Sequence, residues 1–195
     1  MEAIQNMTVV NLLTDLNIDP AHMTPALNAM IAADSKAVKD LKLNVSAVLN
    51  GQNINKKEAY LLALSVAANE NHQVLTGAFR SLAVKEGATE AEIAETFACT
   101  SVMSANNIFY RFRHYMHGND FYNNQPAGMR MSVMMNPAMG KELFELMSLV
   151  VSAVNGCERC VTSHEASVKQ HGASEPRIYD AIRLGAVIRS LSVVL

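Results

Sequence analysis

The sequence has no run of basic residues and no interleaving of aromatic with basic side chains. Sixteen Lys and Arg stand against eighteen Asp and Glu, a formal net charge of −2. Neither nucleic acid nor an anionic membrane is therefore expected as a partner. No apolar run approaches the roughly 18 residues that argue a spanning helix. The opening stretch, MEAIQNMTVVNLLTDLNIDP, has neither a basic leading region nor a long apolar segment. It does not read as a secretory signal, and the expected compartment is the cytoplasm. Three cysteines, an odd number, do not make the disulfide framework of a small secreted domain. In a reducing cytosol a close cysteine pair is more often catalytic or metal-binding than structural. Alternating strand patterns are scarce too.

Half of the residues are hydrophobic, enough for a full core. Ala, Leu, Met, Glu and Lys dominate the long segments, so the expected fold class is all-α, in a single domain spanning 1–195. Helix starts are legible. Thr89 is followed three residues on by Glu92, a capping box in which each side chain satisfies a free backbone donor of the first turn. Ser174 precedes Glu175-Pro176, with the proline in a first turn that needs no amide donor. Gly87 and Gly172 stop the helices before these caps.

The two stop-and-start signals are alike, which suggests an internal repeat. The register that sets Lys56 on Lys141 lays KKEAYLLALSVAANENHQVL (56–75) on KELFELMSLVVSAVNGCERC (141–160). Without a gap, it also lays EGATEAEI (86–93) on HGASEPRI (171–178). Helical periodicity alone produces matches, but not a shared glycine stop and cap. The expected organisation is a first unit over about 1–117 and a second over about 131–195, separated by the turn-rich HGNDFYNNQPAG. Segments 46–104 and 131–189 are expected to superimpose. Segment 143–154 is apolar nearly all round, so it is buried somewhere, and subunit contacts are one place for it.

The chemistry is concentrated in NGCERCVTSHE, residues 155–165. Asn155 is a plausible N-cap, which would put Cys157 in the first turn of the next helix, where the helix dipole favours a thiolate. Cys157 and Cys160 are three apart, so on a helix they share a face, within small backbone adjustments of disulfide range. His164 lies one turn beyond Cys160, with Val161 and Val168 continuing that face, while Glu158, Arg159, Glu165 and Lys169 mark the solvated one. Glu145, inside the apolar stretch LFELMSLVVSAV, needs a partner there and could reach His164 if the two helices pack together.

Three readings follow: an accident of a buried helix, a metal site, or a redox pair. A single cysteine in a helix is usually a small core hydrophobe, and Cys99 is expected to be one. Two cysteines and a histidine on one stripe are less easily so explained. Structural zinc usually takes four ligands; here Cys157, Cys160 and His164 would be joined at most by Glu145. The redox reading needs a base near a thiol, and Glu145 with His164 would supply a proton relay.

Glu145, eleven residues, Cys157, two residues, Cys160, three residues, His164: this spacing resembles the active-site pattern of the AhpD alkylhydroperoxidase family, within the carboxymuconolactone decarboxylase-like superfamily. NNIFYRFRHYM (106–116) is also similar to the family's stretch before its second repeat. The resemblance implies an all-helical fold with an internal repeat, assembled as a homotrimer. It implies a disulfide reductase with weak peroxidase activity towards organic hydroperoxides and no bound cofactor. The electron donor would be the lipoyl group of a lipoylated acyltransferase from a 2-oxoacid dehydrogenase complex, and the acceptor an AhpC-type peroxiredoxin. Cys160 would form the sulfenic acid or the thiolate beside the relay, Cys157 would be its outer disulfide partner, and His164 and Glu145 would move the proton. Some family members carry a further histidine just before the second cysteine; here Arg159 stands there, so a proton path through that histidine is absent or altered, and Arg159 either depresses a thiol pKa or, the favoured expectation, is a solvated charge. The alternative is a zinc- or metal-binding helical protein using Cys157, Cys160 and His164. A decarboxylase is disfavoured, because its acid-base chemistry does not call for a cysteine pair. In the repeat register Tyr60, His72, Leu75 and Phe79 replace the four groups, so the first unit is expected to be structural.

Overall fold

The computed structural model describes residues 6–195; the first five residues of the opening stretch and of the first unit lie outside the described residues. The described chain is helical throughout, without a strand. Three helices come first: α1 (Met7–Asp15), α2 (Pro25–Ala32) and α3 (Lys36–Leu49). The first unit continues with α4 (Lys56–Asn69), α5 (Gln73–Lys85) and α6 (Glu90–Tyr115). The turn-rich segment contains a short helix, α7 (Asp120–Asn124), and a 3-10 turn at Ser132–Met134 follows it. The second unit contributes α8 (Lys141–Val154), α9 (Glu158–Gln170) and α10 (Glu175–Val194). In the register that sets Lys56 on Lys141, α4 and α8 begin and end together, as do α5 and α9, and α6 and α10 start together.

The anticipated caps are in place. Thr89 Oγ1 accepts from the Glu92 N–H at 3.2 Å while Glu92 Oε2 accepts from the Thr89 N–H at 2.8 Å. Ser174 Oγ accepts from the Arg177 N–H at 3.3 Å. Gly87 and Gly172 have φ of +86° and +103°, the left-handed region that ends a helix at little cost only for glycine.

The centre of the molecule is α4 and α8. Every residue from Ala59 to Ala67 and from Leu143 to Ser152 is buried. A helix apolar on all sides must be covered on all sides, and here the cover comes from the same chain. α4 is bordered by α5, α6, α8 and α10, and α8 by α4, α6, α9 and α10. The apolar character of α8, for which subunit contacts were one expected place, marks the core of the single chain instead.

Polar residues on these two helices are matched by neighbours, as buried polar groups must be. Ser152 Oγ accepts from Asn107 Nδ2 at 2.9 Å. Glu95 on α6 accepts from the backbone N–H groups of Ala138 and Met139, both at 2.8 Å, and so ties down the approach to α8.

Candidate active site

α8 and α9 fold back on one another through Asn155–Cys157. The cap differs from expectation. Asn155 does not start α9; it is the C-cap of α8, and Cys157 is the N-cap of α9. The physical reason is tertiary. The Asn155 side chain donates to Asn107 Oδ1 at 2.9 Å and to Asn69 Oδ1 at 3.1 Å, and accepts from Asn69 Nδ2 at 2.9 Å. Arg111 donates to the Asn155 carbonyl at 2.6 Å. An amide held by these partners on α4 and α6 cannot also cap α9. It pins the turn that presents the cysteines.

Glu158 is therefore the first helical residue and Cys160 the third. The dipole argument passes from Cys157 to Cys160, which sits in the first turn among backbone N–H groups without intrahelical acceptors. Cys157 and Cys160 are joined as a disulfide, with Cα atoms 5.3 Å apart.

The order of exposure is also the reverse of that expected. Cys157 is fully covered, whereas Cys160 retains 6 % of its surface and lines a cavity of about 320 Å³. Cys157, at the N-cap, is thus the more covered member of the pair, and Cys160 the one that meets the cavity.

His164 lies one turn beyond Cys160, and its Nδ1 is 2.7 Å from Glu145 Oε2. Lys141, one turn before Glu145 on α8, holds the other carboxylate oxygen at 3.0 Å. Burial alone would push the Glu145 carboxyl up. The hydrogen bonds from His164 and Lys141 overcome that and hold it at about 2. An ionised carboxylate only accepts, so His164 Nδ1 is the donor of this pair, and in the neutral imidazole Nε2 is then the acceptor. The arrangement can take a proton from a nearby thiol and return it.

Cys99, expected in the core, is fully buried there, with Sγ 3.4 Å from Ser148 Oγ. Burial pushes its thiol up to about 12, so it is no nucleophile. Arg159 is exposed, as expected of a solvated charge, but it also lines the cavity beside Cys160, with its guanidinium 5.8 Å from the centroid of Tyr110.

Sequence reasoning missed Lys141, Asn106, Tyr110, Met131, Met134 and Ser163. The last five line the cavity with Cys160 and His164. Lys141 also donates to the Met134 carbonyl at 2.6 Å, which links the cavity wall to the relay. Its spacing of four from Glu145 was a usable signal. Asn106 and Tyr110 lie in the stretch 106–116 that resembles the family, which was a usable signal too, whereas none marked Met131, Met134 or Ser163.

Among the described residues no group of three or more His, Cys, Asp or Glu side chains is arranged to hold a metal ion. No helix among them is long and apolar enough to cross a membrane. A larger cleft of about 670 Å³ lies over the loop before α4 and contains none of the four candidate residues. Its arginine and carboxylates are already paired, Arg177 with Glu58 at 2.9 Å and with Glu142 at 2.8 Å, and Lys56 lies over the Tyr60 ring.

The model of the carboxymuconolactone decarboxylase family matches residues 122–193. A protein of Anaeromyxobacter dehalogenans named alkyl hydroperoxide reductase AhpD is 39% identical over 170 residues, 87% of this chain and 90% of its own length. A protein of the same name in Azorhizobium caulinodans is 38% identical, covering 80% of this chain and 86% of its own. In Rhodopseudomonas palustris the identity is 35%, over 80% and 84%. The chain belongs to the AhpD family. The stretch matched by the wider family model contains Glu145, Cys157, Cys160 and His164 and leaves out the whole of α1–α6.

Proposed function

We propose that this chain is a thiol-dependent alkyl hydroperoxide reductase with its redox centre at Cys157 and Cys160. The observation that carries this reading is the disulfide in the first turn of α9, one turn from a histidine held at 2.7 Å by a buried carboxylate. The names of the AhpD relatives support the substrate class.

In the dithiol state His164 Nε2 accepts the proton of Cys160. The thiolate attacks one oxygen of the hydroperoxide, and the O–O bond breaks. Cys160 becomes a sulfenic acid, and the departing alkoxide takes a proton from His164 and leaves as the alcohol. The Cys157 sulfur then displaces that oxygen as water, which closes the disulfide. Two electrons have passed from two thiols to the peroxide.

A dithiol reopens the disulfide by exchange. The lipoyl group of a lipoylated acyltransferase is the proposed donor, and a peroxiredoxin of the AhpC type is the proposed further acceptor of electrons from the Cys157–Cys160 dithiol. The assembly proposed is a homotrimer. In its support, α6 and α7 leave large apolar side chains uncovered, among them Ile108 at 65 % and Phe121 at 67 % exposure.

The test is thiol titration through a redox cycle, with and without a chelator. Dihydrolipoamide should expose two reactive thiols per chain beyond buried Cys99, and an alkyl hydroperoxide should remove both. A pair that stays unreactive until a metal is chelated would replace this reading with a metal site. Light scattering checks the assembly, and a monomer mass at micromolar concentration would count against the trimer.

A further inference from the structure

The cavity in front of Cys160 has a floor and a rim of different chemistry. At the floor are Cys160 and Asn106, both 6 % exposed, with His164 beside them. Among the described residues the Asn106 amide donates only to the sulfur of Met131, at 2.9 Å, a weak acceptor. The walls are apolar or aromatic: Met131, Met134 and Tyr110. Thioethers repack around differing shapes, so such a wall accepts an organic body without fixing its outline. The volume, about 320 Å³, falls at the lower end of small-molecule sites.

Arg159 is the charged group at the rim. It is exposed and forms no ion pair with a carboxylate among the described residues. Its contact is the face of the Tyr110 ring. The neighbouring Glu158 is turned away to His114, at 3.5 Å. The guanidinium therefore lies beside an aromatic ring at the cavity, with no carboxylate among the described residues taking up its donors. A planar, permanently charged group in that position matches a carboxylate.

We propose that Arg159 is a specificity-determining residue and that the site takes hydroperoxides bearing a carboxylate: an apolar body along Met131, Met134 and Tyr110, the peroxide at Cys160, and the anionic head on Arg159. This rests on the reductase reading above and specifies its substrate class. The bonds that change are those already given: the O–O bond breaks, one oxygen passes to Cys160 and leaves as water when Cys157 closes the disulfide, and the remainder leaves as the alcohol, a hydroxy acid. Arg159 changes no bond. It adds affinity that is the same in the ground and transition states, so its loss shows in KM rather than kcat.

The experiment uses the full chain with dihydrolipoamide as reductant and three probes: linoleic acid hydroperoxide, its methyl ester, and cumene hydroperoxide. Wild-type kcat/KM for the acid should exceed that for the ester by about tenfold at low salt, the scale of one charge-assisted contact at a solvated rim. In Arg159→Gln that ratio should fall toward one through a raised KM for the acid, and Arg159→Lys should restore part of it. Arg183→Gln, an exposed arginine on α10 away from the cavity, should keep the wild-type ratio. Raising the salt should narrow the wild-type ratio and leave that of Arg159→Gln where it was. Equal wild-type values for acid and ester overturn the inference while the reductase reading stands. So does an Arg159→Gln variant that loses acid and ester turnover alike. Absence of wild-type turnover on all three probes overturns the reductase reading and this inference with it.

Discussion

The α4–α5 and α8–α9 hairpins begin and end at matching positions in the register that sets Lys56 on Lys141, and they solve the same local problems with different chemistry. At the start of α5, His72 Nδ1 accepts from the Leu75 N–H at 3.3 Å, an ordinary side-chain cap. The counterparts at the start of α9 are Cys157 and Cys160, which are joined through their sulfurs instead, with no side-chain cap. On the first hairpin Lys56 rests 5.7 Å from the centroid of Tyr60. On the second, Lys141 sits 3.0 Å from Glu145. Phe79 is fully buried where the second hairpin has His164. Even the bridge to the helix after each hairpin, α6 or α10, is kept with its signs exchanged: Lys57 to Glu92 at 2.7 Å in one, Glu142 to Arg177 at 2.8 Å in the other. The scaffold therefore needs a tie across the first turn and filled space between the helices, but not these four groups. Where they occur, a cap is given up, and the unsatisfied donors of α9 lie beside a thiol.

The sharpest way to break the comparison is to remove a sulfur. Cys157→Ser and Cys160→Ser should each abolish peroxide turnover, since each is half of the disulfide, while circular dichroism stays that of an all-helical protein. Retained turnover in both variants would put the second hairpin on the same footing as the first. The relay comes next. Glu145→Gln and His164→Phe should slow turnover by about 10²–10⁴-fold, the range of a general acid-base group. His164→Phe gives α9 the residue its counterpart already carries, so the fold should tolerate it. Wild-type rates in both would leave the thiols working without a relay.

The pairing of Glu145 also predicts a pH dependence that the first hairpin lacks, because Tyr60 stands in its place. Glu145 is held at about 2 in the folded chain, against about 4.3 for an unperturbed glutamate. A depressed carboxylate contributes stability that is complete above the unfolded value and is lost as the pH falls toward the folded one. Urea midpoints of wild type and Glu145→Gln should therefore differ most at neutral pH and converge between about pH 4.5 and 2. A gap that stays constant through that window would mean that the Lys141–Glu145–His164 chain adds nothing to folding.

What was legible in the sequence follows the range of the interactions. Capping boxes, glycine stops and an i, i+4 step on one helix are local, and Thr89–Glu92, Gly87, Gly172 and Cys160–His164 stand as expected. Asn155 was misplaced because its partners, Asn69 and Asn107, lie 86 and 48 residues away, and a local cap preference is weak against three tertiary hydrogen bonds. The inner position of Cys157 follows from that same shift of one cap. Lys141 was overlooked because a lysine in a first turn ordinarily faces water, and only the packing of α8 shows that Glu145 is buried and in need of a second donor. Of the cavity walls only the stretch 106–116 drew notice, as a resemblance and not as a wall, since Asn106 and Met131 come together with Cys160 only in the folded chain.

The smallest expected effect tests the first hairpin itself. His72→Ala removes the acceptor of the Leu75 N–H and leaves α5 with an uncapped end, as α9 has. Loss of an N-cap costs about 1 kcal/mol, which for a domain of this size lowers Tm by about 2–4 °C. Peroxide turnover should not change, because α5 contributes no side chain to the cavity before Cys160. The two readouts separate the possibilities. A lower Tm with full turnover places His72 as a cap and keeps the chemistry on α8–α9. A loss of turnover larger than the loss of folded protein would show that the first hairpin takes part in the reaction, and the division between a structural unit and a reactive one would have to be withdrawn.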